Sequence, residues 1–214
     1  MSKANNELCE YNHVVFGFEH YNPLGIVRSL GQSGIKPDLI VIRNPRRVTS
    51  KSKYRNKTYF VDSIEEGYKV LLENYSLNAK DTFVYASDDQ ITNYIDGRYD
   101  ELKDRFFFYN AGEAGRIAYY QNKENILKLA EKHGLNVLKT FVVKRGKIPE
   151  GLEYPIITKA IISTIDNWKA DMIICQNEQE LMEAYNNIRS ERVLLQKYII
   201  KKNELCLEGY SYDR

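Results

Sequence analysis

Lysines stand where apolar segments begin or end. Lys159 closes the run YPIITK, the pair Gln196–Lys197 closes VLLQK just before Tyr198, Ile199 and Ile200, and Lys123 opens a helical stretch. A cation at the end of a buried strand either carries its head out to solvent or meets a buried anion. Lysine is a compact point charge that imposes no fork geometry. Two lysines arriving from separate elements could therefore neutralise a polyphosphate together. Glu204 opens the last apolar stretch of the chain.

A second group of polar residues lies in the first half. Glu19, His20, Tyr21 and Asn22 follow the apolar run HVVFGF, and Ser87, Asp88 and Asp89 follow DTFVYA. Open α/β sheets bind ligands beyond the carboxyl ends of their strands, so His20, Asp88 and Asp89 are candidates for a substrate pocket. The competing reading is helix capping, by Asn22 and by Ser87 or Asp88. A dinucleotide-binding turn is excluded, because Gly17 and Gly25 stand too far apart for GxGxxG. His13 and His133 read as structural, and Trp168 as a packing anchor.

These residues need elements to hold them. Residues 13–18, 38–43, 58–61, 81–86 and 106–109 read as short strands, separated by helices over 23–33, 64–75 and 90–103. Asn22 is the expected N-cap of the first helix, with Pro23 at its first position and Gly34 beyond its end. Short apolar strands alternating with helices predict a parallel sheet covered on both faces. Near 110–120 the pattern changes. A helix over 122–133 is stopped by Gly134, followed by strands over 137–144, 155–159 and 172–175, a helix over 178–188, and strands over 193–200 and 204–212. Strands in succession with few crossover helices predict an α+β lobe with an antiparallel sheet.

Composition narrows the function classes. The 214 residues carry a formal charge of +2, with both signs interspersed and 43% hydrophobic residues, enough for one or two domains with real cores. The cluster Arg43, Arg46, Arg47, Lys51, Lys53 and Arg55 lies in a Pro- and Ser-containing stretch that reads as a solvated loop, so no nucleic-acid partner is expected. Cys9, Cys175 and Cys206 form no CxxC spacing, which argues against a zinc site or disulfide framework and fits a cytoplasmic location. No segment approaches the ~20 apolar residues of a membrane span, and no membrane partner is expected.

Taken in order, the segments resemble a known superfamily. NKENILKLAEKHGLNVLKTFVV resembles the ATP-grasp segment in which a lysine-led helix ends in G-[IVL]-x-x-P-x-[ST] and a strand. YPIITKA is similar to its YP-[VI]-[VI]-[VI]-K-P strand, and VLLQKYIIKKNELCLEGY to its hinge, which runs from a Gln or Glu through an aromatic residue to a later Glu. PLGIVRSLGQSGI resembles the first helix of the domain that precedes ATP-grasp folds. The resemblance covers nearly the whole chain. It implies a Rossmann-like pre-ATP-grasp domain over 1–112, with a parallel sheet, and the α+β first lobe of an ATP-grasp domain over 113–214.

The resemblance also implies roles. Lys123 and Lys159 would contact the phosphates of ATP. Gln196 would lie near the adenine amino group, and the backbone of Lys197, Tyr198 and Ile199 would read the adenine edge. Glu204 would accept from the ribose hydroxyls. The implied enzyme is a ligase that activates a carboxylate as an acyl phosphate and couples it to an amine or similar nucleophile; a carbamoyl-phosphate-type or carboxylase-type reaction is also permitted. The chain departs from the pattern in lacking a glycine over 160–169, in placing Ala160 after Lys159, and in lacking the proline that follows Gly134. The superfamily's second lobe, which carries its Mg²⁺ ligands, would lie beyond Arg214. The chain is thus expected to be an N-terminal fragment without ligase activity of its own, and an apolar face left by the second lobe could pair two copies as a homodimer. Two alternatives stand beside this reading: a non-catalytic nucleotide-binding or regulatory module, and a Rossmann-like nucleotide-sugar transferase with its ligand near His20 and Asp88.

Overall fold

In the computed structural model, the described residues are 8–43, 48–76, 81–161, 171–203 and 205. The chain divides into two compact units, Met1–Asn122 and Lys123–Arg214.

The first unit holds a five-stranded sheet in the order β3-β2-β1-β4-β5, built from β1 (Asn12–Phe18), β2 (Asp38–Ile42), β3 (Thr58–Val61), β4 (Thr82–Ala86) and β5 (Phe107–Phe108). Every pairing is parallel. The helices are α1 (Tyr21–Gln32), α2 (Ile64–Tyr75), α3 (Asp89–Asp96), α4 (Tyr99–Leu102) and α5 (Arg116–Gln121). Both sheet faces are covered, as the continuous apolar strands predicted. Val14, Phe16, Ile40 and Val84 pack with Tyr68, Leu71 and Ile91 on one face. Val15, Leu39 and Val41 pack with Val27 on the other. Helix α2 comes so close to the sheet that a Cβ on Gly67 would stand 2.5 Å from the Phe16 ring.

Three expectations in this unit are corrected. The N-cap of α1 is His20, whose Nδ1 accepts the N–H of Asn22 at 3.1 Å, so the helix starts before Pro23. The helix expected over 90–103 breaks into α3 and α4, because the carbonyl of Asp96 accepts the N–H of Gly115 and its Oδ2 accepts that of Ala118. The last strand of the sheet is two residues long.

The second unit holds a four-stranded antiparallel sheet, β6-β9-β7-β8, from β6 (Thr140–Lys144), β7 (Ile156–Ala160), β8 (Ile174–Cys175) and β9 (Arg192–Lys197), with α6 (Lys123–Lys132) and α7 (Glu178–Tyr185). Phe141, Val143, Ile156, Val193 and Leu195 line one face and pack against Leu181, Ala184 and Tyr185 of α7. Gly134, at φ 73, follows α6 and lets Leu135 N–H return to Ala130 O, the αL stop expected there. The strands are shorter than expected. At β8, the hydroxyl of Thr158 donates to Asp171 O at 2.6 Å and accepts from Ile173 N–H, taking the place of further ladder bonds. Helix α7 ends at Tyr185, although Ile188 remains buried. Of the strand expected over 204–212, all but Leu205 lies outside the described residues, and Leu205 is in no strand. No helix among the described residues is long and apolar enough to cross a membrane.

Candidate functional site

Side chains alternate across a strand, so residues two apart share a face. On β9, Val193, Leu195 and Lys197 point toward the α7 core, and Arg192, Leu194 and Gln196 point to the opposite side. The register sets Thr140 of β6 directly across from Gln196, and Lys159 of β7 two residues beyond Gln196's partner Ile157, on the same face. The three side chains form a row across three strands. Lys159 Nζ donates to Gln196 Oε1 at 2.8 Å, Gln196 Nε2 donates to Thr140 Oγ1 at 3.0 Å, and the Thr140 hydroxyl donates to Leu138 O at 2.7 Å.

This row is charged at one end only. Gln196 is 8% exposed and Lys159 is half-buried. Burial pushes the Lys159 ammonium below its ordinary range, and the charge of Lys201 pushes in the same direction. Among the described residues no carboxylate pairs with it. A partly buried cation without a counter-ion is costly, and an anionic ligand removes that cost.

Other expected residues gather around this face. The N–H of Lys123 donates to Ile161 O, and Glu124 Oε2 meets Arg192 Nη2 at 2.9 Å, so the start of α6 is tied to the end of β7 and to the Gln196 side of β9. Lys197 sends its ammonium to the other side, 3.3 Å from Glu153, and leaves only its backbone near Gln196. Its side chain there lines a small pocket with Lys139, Phe141, Leu152, Glu153 and Ile156. Tyr198 N–H donates to Pro155 O, and Ile199 follows with its side chain exposed and its N–H without a partner among the described residues. Glu204, Trp168 and the glycine-free segment after Ile161 lie outside the described residues.

In the first unit, the strand order reverses between β1 and β4, which brings the residues after those strands together. His20 Nε2 meets Asp88 Oδ1 at 2.6 Å, and Asp88 Oδ2 accepts from Phe18 N–H and Ser87 Oγ. Because His20 Nδ1 accepts a backbone N–H, the imidazole proton lies on Nε2 and points to the carboxylate. Asp88 stands at the N-cap of α3 yet makes no side-chain cap bond. Its carboxylate serves the strand junction instead. Asp89 is exposed in the first turn of α3. Beneath the pair, Glu19 is buried, with Oε1 accepting from Val48 N–H, Ser50 N–H and Ser50 Oγ.

Sequence reasoning missed Thr140, the far end of the Lys159–Gln196 row. A signal was at hand, since the closing Ser/Thr of the G-[IVL]-x-x-P-x-[ST] pattern falls on Thr140; its partnership with Gln196 depends on strand register, which is not visible in one sequence. The anchoring of Glu19 was missed for the same reason, since its partners lie 29 and 31 residues away.

No family model and no curated protein matches the sequence. The fold does match solved structures. An L-amino acid ligase from Bacillus licheniformis superposes with a TM-score of 0.66 at 12% identity, over 89% of this chain and 45% of its own. An N5-carboxyaminoimidazole synthetase from Staphylococcus aureus, complexed with ADP, gives 0.64 at 14%, over 88% and 48%. The corresponding synthase from Aspergillus clavatus, with ADP and 5-aminoimidazole ribonucleotide, gives 0.59 at 14%, over 90% and 48%. At 12–14% identity, these likenesses show a shared fold. The chain spans about half the length of the solved structures it matches.

Proposed function

We propose that this chain is the nucleotide-holding part of an ATP-dependent ligase that joins a carboxylate to an amine or similar nucleophile through an acyl phosphate. The observation that carries this reading is the Lys159 ammonium: half-buried, fixed by Gln196, lowered in pKa by burial, and without a carboxylate among the described residues. The phosphates of ATP are the anion that fits. Two of the neighbours just named hold ADP on the same fold, which supports the reading.

In this reading Lys159 and Lys123 neutralise phosphate charge, and Gln196 takes the adenine amino group. The backbone of Lys197, Tyr198 and Ile199 lies along the edge of the base, and Glu204 takes the ribose hydroxyls. The work of these residues is positioning and charge neutralisation. His20, Asp88 and Asp89 form part of the pocket for the small-molecule substrates, where the proton on His20 Nε2 keeps Asp88 oriented. The described residues do not fit a magnesium centre: no group of three His, Cys, Asp or Glu among them is placed to hold a metal ion.

Thermal unfolding with millimolar Mg–ADP tests the proposal. A ligand at about 100 times its Kd adds about 2.7 kcal/mol, a readily visible rise in Tm. The rise is expected for the unsubstituted chain and lost in Lys159→Ala. An equal rise in both proteins would remove Lys159 from the site.

A further inference from the structure

We infer that Thr140 is a positioning residue that fixes which end of the Gln196 amide meets the base, and so makes the site select a 6-amino purine over a 6-oxo purine. The inference rests on the nucleotide reading above and deepens it.

An ammonium has donors only, so the Gln196 atom facing Lys159, 2.8 Å away, is the acceptor Oε1. The Thr140 hydroxyl gives its single proton to Leu138 O at 2.7 Å, so toward Gln196 it is an acceptor, and the atom facing it at 3.0 Å is Nε2. The amide is therefore fixed from both sides. Turning it over would set Nε2 against the ammonium and Oε1 against a hydroxyl whose proton is already engaged, and both bonds would be lost. In a side chain 8% exposed, water does not replace them freely.

What remains for a ligand is the second lone pair of Oε1, on the Lys159 side. A 6-amino group donates into it, whereas a 6-oxo group meets acceptor against acceptor. Thr140 need not touch the base to produce this preference. It acts by holding Nε2, so that the amide cannot turn to answer an oxygen.

The test compares the affinities of ADP and inosine diphosphate, by calorimetric titration, for the unsubstituted chain, Thr140→Val and Thr140→Ser. The unsubstituted chain is expected to prefer ADP. Thr140→Val keeps the shape and removes the acceptor, and should narrow that preference about five- to tenfold, the worth of one hydrogen bond. Thr140→Ser should keep it. If Thr140→Val does not fold, Thr140→Ala removes the same acceptor and serves in its place. A variant that binds ADP with the preference intact overturns the role of Thr140 and leaves the nucleotide reading standing. An unsubstituted chain that binds both nucleotides equally also overturns it. One that binds neither overturns the inference together with the nucleotide reading.

Discussion

At the residue scale, the charge on Lys159 links pH to binding. Burial lowers its pKa from the ordinary lysine value of about 10.4, so the ammonium loses its proton at a lower pH than an exposed lysine does. Bound phosphates favour the charged form. Below the lowered value the affinity for ADP should be flat; as pH rises through it, the affinity should fall, by up to about tenfold per pH unit. Lys159→Arg stays charged over that range, so its profile should be level. Calorimetric titrations from about pH 7.5 to about pH 10 would read this directly, and parallel profiles for the two proteins would place the titrating group elsewhere. Lys159 and Gln196 were legible as candidates because a polar residue closing an apolar run is conspicuous. Their partnership was not, because the sequence does not state which residues a strand pairs with. Gln196 meets Thr140 across 56 positions, and His20 meets Asp88 across 68.

At the element scale, α1, α2 and α7 begin where side chains satisfy their free N–H groups. Ser63 accepts from Glu66 N–H, and Glu66 returns its carboxylate to Asp62 N–H; Asn177 and Glu180 do the same, with Gln176 N–H closing the box. Ser63→Ala and Asn177→Ala should each cost about 1 kcal/mol in denaturant unfolding while leaving ADP affinity unchanged. Gly67→Ala drives a methyl group into Phe16 and toward Ile40, and should cost about 1–3 kcal/mol. A cost below experimental error would mean that α2 can move off the sheet. The same local signals made the elements legible. The strand over Thr58–Val61 and the helix over Ile64–Tyr75 were read to the residue from their apolar patterns. Failures came where a distant group intervened. Gly115 takes the Asp96 carbonyl and breaks a helix, and the Thr158 hydroxyl stands in for a strand bond.

At the scale of the whole molecule, the two units have separate cores, and each carries one candidate site. His20 and Asp88 lie at the strand-order reversal of the parallel sheet, and Lys159, Gln196 and Thr140 lie on the face of the antiparallel one away from α7. In the sequence, helices cease to alternate with strands near 110–120; the compact units divide after Asn122. The proposed division of labour gives nucleotide to the second unit and the small-molecule substrates to residues of the first. The most direct test is to titrate ADP into isotope-labelled protein and map the backbone amide resonances that move. Shifts are expected to concentrate on Thr140, Lys159, Gln196 and Ile199 and on the start of α6. Shifts confined to the surroundings of His20 and Asp88, or none at saturating ADP, would contradict the proposal.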